Sequence, residues 1–203
     1  MQTRLQELYG NIDIYLFDQL LKGTYDNCSK VLDAGCGTGR NLYYFLRNGC
    51  EVYGVDADPY SVESVRGLSQ RLSPANSSQN FGVADVADLP FEDDNFDLVI
   101  SSAVLHFAKN ERHFDSMLRS MWRVLKPGGY LFARLASDIG LESQVKSLGN
   151  GRYLLPDGSE RFLVNEQMLM TYTQSLGARL HEPIKTTNVQ NLRCMTTWCM
   201  QKA

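Results

Sequence analysis

Hydrophobic and polar positions along the chain follow two periods in alternation. Short apolar runs at 31–34, 52–55, 81–84, 98–101 and 130–133 read as buried strands. Between them lie stretches with the 3.6-residue repeat of an amphipathic helix. Residues 41–48 carry Leu42, Phe45 and Leu46 on one face and stop at Gly49. A second helix starts with Asp58 as cap and Pro59 in the first turn, runs to about residue 72, and turns Val62, Val65 and Leu68 inward. The strongest helical period covers 111–125, where Phe114, Met117, Leu118, Met121, Trp122 and Leu125 share one face and read as core without a cofactor role. Residues 126–129 then break the helix ahead of the fifth strand. Strands and helices in strict alternation demand right-handed crossovers, and so a parallel sheet covered on both faces.

The two ends differ from this repeat. Near the start, Leu5, Leu8 and Tyr9 precede a dense run, Ile14, Tyr15, Leu16, Phe17, Leu20 and Leu21, with Asp13 to cap it and Gly23 to end it. This predicts a helix packed on the sheet edge. After the fifth strand, 152–163 places Pro156, Asp157 and Gly158 between two short β-like runs and predicts a hairpin. Asn165 caps a helix to about residue 175 that Gly177 ends, and 179–184 and 192–200 read as final strands. With a polar surface loop at 73–80 and no repeat or linker, the expectation is one domain over 1–203: a helical cap at 1–28, a binding core at 29–134, an insertion at 135–163, and a closing helix and strands at 164–203.

Charge narrows the range of partners. Twenty Lys and Arg against 23 Asp and Glu leave a net charge of −3, which disfavours sequence-general binding to a phosphate backbone. The longest apolar runs are too short to cross a bilayer, and the first ten residues lack the apolar core of a signal peptide, so a cytoplasmic protein without membrane contact is expected. The five cysteines show no CxxC pair or metal-ligand spacing and read as reduced thiols, with no metal site.

Candidate chemistry concentrates at 31–41, VLDAGCGTGRN. Gly35, Gly37 and Gly39 follow a strand and open a helix, where glycine permits a tight turn and close approach of backbone to a ligand. The spacing is not the dinucleotide GxGxxG, because the last glycine comes one residue early and Arg40 stands in its place. Asp33, two residues before the loop, would repel a pyrophosphate but suits a ligand with an ammonium group. Both differences favour S-adenosylmethionine over NAD.

Three further motifs follow in order: EVYGVDADP at 51–59, FGVADVADLPF at 81–91, and FDLVISSAVLHF at 96–107 with LKPGGYLFA at 125–133. Together with the glycine loop they make residues 30–135 resemble the class I S-adenosylmethionine-dependent methyltransferases of the broad type 11, small-molecule group. The resemblance implies a Rossmann-like, doubly wound, seven-stranded and mostly parallel sheet with an antiparallel last strand. It also implies S-adenosyl-L-methionine as cofactor, with roles for named residues. Asp56, with Ala57 beside it, would accept the ribose hydroxyls. Asp85 would bind the adenine amino group, with Val86 along the ring and Asp88 as the other candidate acid. Asp33 would meet the methionine ammonium directly or through water, the backbone from 35 to 37 would border the methionine moiety, and Ser101 would offer its carbonyl. Cys36 reads as a packing thiol inside the loop. Arg40, beside Asn41, either binds the cofactor carboxylate or covers the helix surface. The N-terminal helix either packs on the sheet edge or partly covers the pocket, bringing Tyr9 or Tyr15 to the ligand.

Methyl transfer from a sulfonium is an in-line displacement, driven largely by alignment in a dry pocket, so a base is optional. His106, after the fourth strand, is the candidate base, set against a packing or cofactor-contacting role; His113 and His181 read as surface residues. The 152–162 hairpin either flanks the acceptor pocket, where Tyr153, Arg161 and Phe162 would contact a small acceptor, or is a surface feature. The expected partner is a small-molecule methyl acceptor, and the protein a monomer or homodimer. Two other classes stay open: an NAD-dependent oxidoreductase, and a noncatalytic protein that only binds S-adenosylmethionine. The absence of an NPPY motif weakens the case for adenine or glutamine N-methylation.

Overall fold

A computed structural model describes residues 4–203; residues 1–3 of the expected N-terminal cap lie outside the described residues. Six α-helices are α1 (Arg4–Tyr9), α2 (Ile14–Leu21), α3 (Tyr43–Arg47), α4 (Pro59–Leu72), α5 (Glu111–Val124) and α6 (Glu166–Ser175). Side-chain caps explain where four of them start. Asp13 accepts from Tyr15 N, Asp58 from Tyr60 N and Ser61 N, Asn110 from His113 N and Asn165 from Met168 N. Each cap satisfies a first-turn donor that the helix itself leaves unpaired, typically ~1 kcal/mol.

The strands are β1 (Lys30–Ala34), β2 (Glu51–Asp56), β3 (Phe81–Val83), β4 (Phe96–Ser102), β5 (Leu125–Ser137), β6 (Lys146–Gly149), β7 (Arg152–Leu154), β8 (Glu160–Phe162), β9 (Ala178–Leu180), β10 (Lys185–Val189) and β11 (Arg193–Lys202). The main sheet runs β10-β11-β5-β4-β1-β2-β3, with β9 pairing on β11. From β3 through β5 every pairing is parallel, while β11 is antiparallel to β5, β9 and β10. This is the doubly wound, mostly parallel fold with an antiparallel last strand.

Both faces of the sheet are covered, which is why its central strands read as continuous apolar runs. Along one face Leu32, Val99 and Ala133 pack under Phe114 and Leu118 of α5 and Leu169 of α6. Against the other, Val31, Ile100 and Phe132 meet Leu16 of α2, Phe45 of α3 and Val65 of α4. Full burial of side chains of this size contributes ~1.5–3 kcal/mol each. On the α6 side Trp198 is wholly buried and donates to Thr173 Oγ1 at 3.1 Å.

Several elements differ from the pattern-based reading. The expected helix at 41–48 is the shorter α3, because the glycine-loop turn continues to Leu42, whose N–H donates to Gly39 O at 3.0 Å. The expected strand at 179–184 is the shorter β9, which stops at Leu180 ahead of a stretch holding Pro183, which has no N–H for the ladder, and a strand that was not expected, β10, follows at Lys185. Residues 126–129 do not separate helix from strand. Leu125 already pairs with Phe96, and the ladder shifts register before Leu98 pairs with Tyr130. The hairpin is present as β7 and β8, and β6 joins it to make a small three-stranded sheet. Every β6 residue is exposed, so no apolar alternation announces that strand. Among the described residues no helix is long and apolar enough to cross a membrane, no metal-binding cluster is found, and all five cysteines are free.

Candidate functional site

Ligands of open α/β sheets sit outside the carboxyl ends of the strands, and there the loops after β1, β2, β3 and β4 converge on one groove of about 570 Å³. Gly35, Gly37, Asp56, Ala57, Asp85 and Val86 line it together with Ala103, Val104, Phe107 and Met117. Gly35 holds φ +85°, and a Cβ added there would run into the γ-methyl groups of Val104. Gly37, at φ +50°, would meet nothing within 4 Å, so its backbone is open on the groove side. Asp56, the last residue of β2, accepts from Gly37 N at 2.8 Å and Asp58 N at 2.9 Å. An ionised carboxylate has about four acceptor positions, so two stay free for a ligand. Asp85 accepts from Ala87 N at 2.8 Å as cap of a short 3₁₀ turn, Val86–Asp88, and borders the groove, whereas Asp88 does not.

Five residues expected at the cofactor have side chains behind this groove. Asp33 is wholly buried one layer beneath the loop, and neither carboxyl oxygen has a hydrogen-bond partner among the described residues. Burial pushes its pKa up to about 7, against the pull of the Arg40 guanidinium and with the push of Asp56. Cys36 is buried against Gly54, and burial raises its thiol well above the usual range, so it is a packing residue and not a thiolate nucleophile. Arg40 and Asn41 belong to a polar clasp around the buried Asp13. Arg40 Nη2 donates to Ser102 Oγ at 2.9 Å, Ser102 Oγ donates to Asp13 Oδ2 at 3.1 Å, and Asp13 N donates to Asn41 Oδ1 at 3.0 Å. The clasp ties the start of α2 to the glycine loop; the Asn41 side chain is used within it, while the exposed Arg40 keeps further donors. Ser101 is fully buried with its hydroxyl unpartnered, because β4 runs one residue further than expected and the wall is made by Ala103 and Val104 beyond it.

A second cavity, of about 250 Å³, adjoins the groove across Ala103. Ala103 has φ 65°, a left-handed conformation that non-glycine residues adopt at some cost, fixed here by its N–H donating to Arg134 O at 2.7 Å. Around the cavity stand His106, Arg134, Asp157, Ser159, Arg161 and Arg193. His106 is buried, and Ala136 N donates to its Nδ1 at 3.2 Å. That bond occupies the ring's only lone pair and leaves the proton on Nε2. Burial, helped by the Arg161 charge, pushes the imidazole pKa down to about 4. His106 is therefore a neutral hydrogen-bond donor toward the cavity, and the base expected of it has no lone pair to use.

Other expected contacts separate as clearly. Arg161 does reach the cavity, but Phe162 is buried, stacked on Phe114, and Tyr153 packs in a small apolar cluster with Leu155 and Leu163. Tyr9 packs on Phe17 and Tyr44; Tyr15 lies under the Arg134 guanidinium and bonds through its hydroxyl to Thr187 Oγ1. His181 is half-buried edge-on to Tyr130, not a surface residue. The residue pattern did not point to His113 and Met117, which border the groove from α5. A helix that follows the fourth strand and starts at Asn110 was the available signal, since its first turn lies at the carboxyl end of the sheet.

Comparison with known proteins follows the same motifs. The family model of the methyltransferase domain matches residues 32–133, half of the chain. The uncharacterized methyltransferase sll0829 of Synechocystis sp. is 35% identical over 100 residues, which are 49% of this chain and 43% of that protein. The chain thus covers less than half the length of this relative. Among solved structures, the PH0226 protein of Pyrococcus horikoshii superposes with a TM-score of 0.74 at 18% identity, over 100% of both chains. A Burkholderia thailandensis 1,6-didemethyltoxoflavin-N1-methyltransferase, solved with 1,6-didemethyltoxoflavin and S-adenosylhomocysteine, gives 0.66 at 18% identity, over 96% of this chain and 79% of that one. At such identities the structures establish the fold. With the family match over the glycine loop and the four strands behind it, the chain belongs to the methyltransferase domain family, the class I, type 11 group that its motifs resemble.

Proposed function

We propose that the groove binds S-adenosylmethionine and that the chain directs its methyl group to a small-molecule acceptor, with residues 29–134 as the cofactor-binding core of a single domain. The observation that carries this reading is the convergence of Gly37, Asp56, Asp85 and Val86 on one groove at the carboxyl ends of three neighbouring strands. The residues fit the cofactor and not a dinucleotide. Open backbone at Gly37 admits the methionine part, Asp56 keeps two acceptor positions for vicinal hydroxyls, and Asp85 beside the apolar Val86 suits an amino-substituted flat ring. The buried, unpartnered Asp33 suits a ligand with positive charge and would repel a pyrophosphate. The S-adenosylhomocysteine bound by the Burkholderia neighbour supports the same choice.

When bound, S-adenosylmethionine supplies a methyl group on a positively charged sulfur. This chain aligns and encloses. Asp56 and Asp85 fix the nucleoside, Asp33 offsets the positive end, and Val104, Phe107 and Met117 exclude water from the line of transfer. His106 serves as a donor that orients the acceptor, and no side-chain base is assigned. An acceptor of small size is supported by the 250 Å³ of the adjoining cavity, and by the chain's net negative charge, which opposes nucleic acid. Titration calorimetry tests the reading: S-adenosylmethionine and S-adenosylhomocysteine should bind with micromolar affinity and NAD should not. Binding of NAD without the sulfur nucleosides would overturn it.

A further inference from the structure

Three guanidinium groups meet in the cavity next to Ala103, and they are poorly satisfied by the protein. Arg123, in the last turn of α5, shows what a structural arginine does: its guanidinium donates to Phe91 O, Leu89 O and Asp93. The cavity arginines do much less. Arg134 donates from Nη1 to Asp13 Oδ2 at 3.0 Å while its Nε is buried and without a partner among the described residues. Arg161 donates only to the adjacent Glu160 O, and lies 5.1 Å from the centre of the Phe107 ring. Arg193 forms a loose ion pair with Asp157 at 3.6 Å and is otherwise exposed. Five donors per guanidinium, in a planar fork, leave donors without a protein partner at all three arginines that line the cavity. The Nε2–H of His106 adds a donor of the same kind.

We propose that this cavity is the acceptor subsite and that it holds the carboxylate of a small organic acid between Arg134, Arg161 and Arg193, with His106 Nε2–H as a fourth donor. The proposal rests on reading the neighbouring groove as the S-adenosylmethionine site. Planar guanidinium forks match a carboxylate two bonds at a time. Arg134 is already paired with Asp13, and the lining also carries one acid, Asp157, so the excess is about one positive charge and suits a monoanion better than a doubly charged phosphate. Sharing Ala103 with the groove puts the bound acid one residue from the methyl donor, and Phe107, on the groove wall, contacts Arg161 of the cavity. The small three-stranded sheet then has a role in recognition, since Leu155, Asp157, Ser159 and Arg161 bring its turn to the cavity mouth.

The test follows arginine Nε–Hε resonances by two-dimensional nitrogen–proton spectroscopy during titration with sodium acetate, sodium phosphate or sodium chloride at matched ionic strength. Protein free and saturated with S-adenosylhomocysteine is used, with calorimetry of the nucleoside as a separate measurement. Acetate should shift the Arg134 and Arg161 signals saturably in the millimolar range, and Arg161→Gln or Arg193→Gln should weaken that binding about tenfold without changing nucleoside affinity. A linear response equal to that of chloride would overturn the proposal, as would unchanged acetate binding in both variants. Phosphate binding tighter than acetate would overturn the carboxylate assignment. Loss of nucleoside binding with an intact acetate response would instead count against the groove assignment alone.

Discussion

The groove and the cavity touch at one residue and are built with opposite charge. On the groove side carboxylates outnumber the one lysine, Lys109, with Asp56 and Asp85 at the wall and Asp33 beneath it; on the cavity side the guanidinium groups of Arg134, Arg161 and Arg193 outnumber Asp157. A ligand with a sulfonium and an ammonium is drawn to one side and an acid to the other, before any shape is compared. The two sides also differ in origin. Groove residues come from the ends of β1 to β4 and from α5, whereas much of the cavity comes from the β7 to β8 turn and from β10 and β11. Chemistry common to a fold sits on the rigid part, and selectivity sits on inserted elements free to vary.

If that division holds, damage to the groove should spare anion binding, and the largest such effect should come from Gly35→Ala. The new Cβ meets Val104 and the backbone stays at φ +85°, so either the loop or the β4 end must move. Nucleoside affinity should fall by more than about a hundredfold, from strain of roughly 1–3 kcal/mol added to lost contacts. Circular dichroism separates a closed groove from an unfolded chain. Normal S-adenosylhomocysteine affinity in this variant would end the comparison.

Asp33 sharpens the comparison through pH. Its carboxyl keeps a proton up to about pH 7 in the folded chain but loses it near 3.8 when exposed. A raised carboxyl pKa means that the folded state holds the proton more tightly, so stability falls as pH rises from about 4 to about 7 and is level above that. The loss corresponds to ~4 kcal/mol for this wholly buried group, and denaturant unfolding across that range reads it. Asp33→Asn should flatten the profile. Because a cationic ligand favours the ionised form, wild-type affinity for the sulfonium S-adenosylmethionine should rise with pH up to about 7 and that of the variant should not.

Asp56→Ala removes the acceptor that also holds Gly37 N, and nucleoside affinity should drop about ten- to a hundredfold. Asp85→Ala should cost less, since Asp85 is exposed and Val86 still packs on the ring. Calorimetry orders the two variants. A reversed order would put the stronger nucleoside contact at the end of β3.

What the sequence revealed follows the same division. The glycine loop, Asp56, Asp85 and the strands behind them were legible because local rules govern them: apolar runs, tight turns, an acid at a strand end. The clasp of Asp13, Ser102, Arg40 and Arg134 was not, because it joins residues up to 121 apart in the chain and only packing brings them together. Arg40 was half legible, with the choice between ligand and surface open, and the structure shows a third role. Arg134 followed directly on the run at 130–133 and Arg193 sat inside the run at 192–200, and neither position carries a local signal of function. Their convergence depends on β11 pairing with β5, and with it on the whole topology.

His106 tests the cavity side with the smallest expected change. Its Nδ1 is taken by Ala136 N–H and its pKa lies near 4, so between pH 6 and 9 it neither gains nor loses a proton. His106→Gln keeps a side-chain amide N–H that can point into the cavity, and acceptor kcat/KM should fall by only a few fold, with the pH profile of wild type. His106→Leu removes the donor and should cost about tenfold, mostly in acceptor KM, while S-adenosylmethionine affinity stays the same. Recovery from the leucine to the glutamine variant reads donation directly. A base would give the opposite result, since neither glutamine nor leucine accepts a proton near neutral pH. Equal and large rate losses in both variants, together with loss of an ionisation from the pH profile, would return His106 to proton transfer and leave the cavity with arginine donors alone.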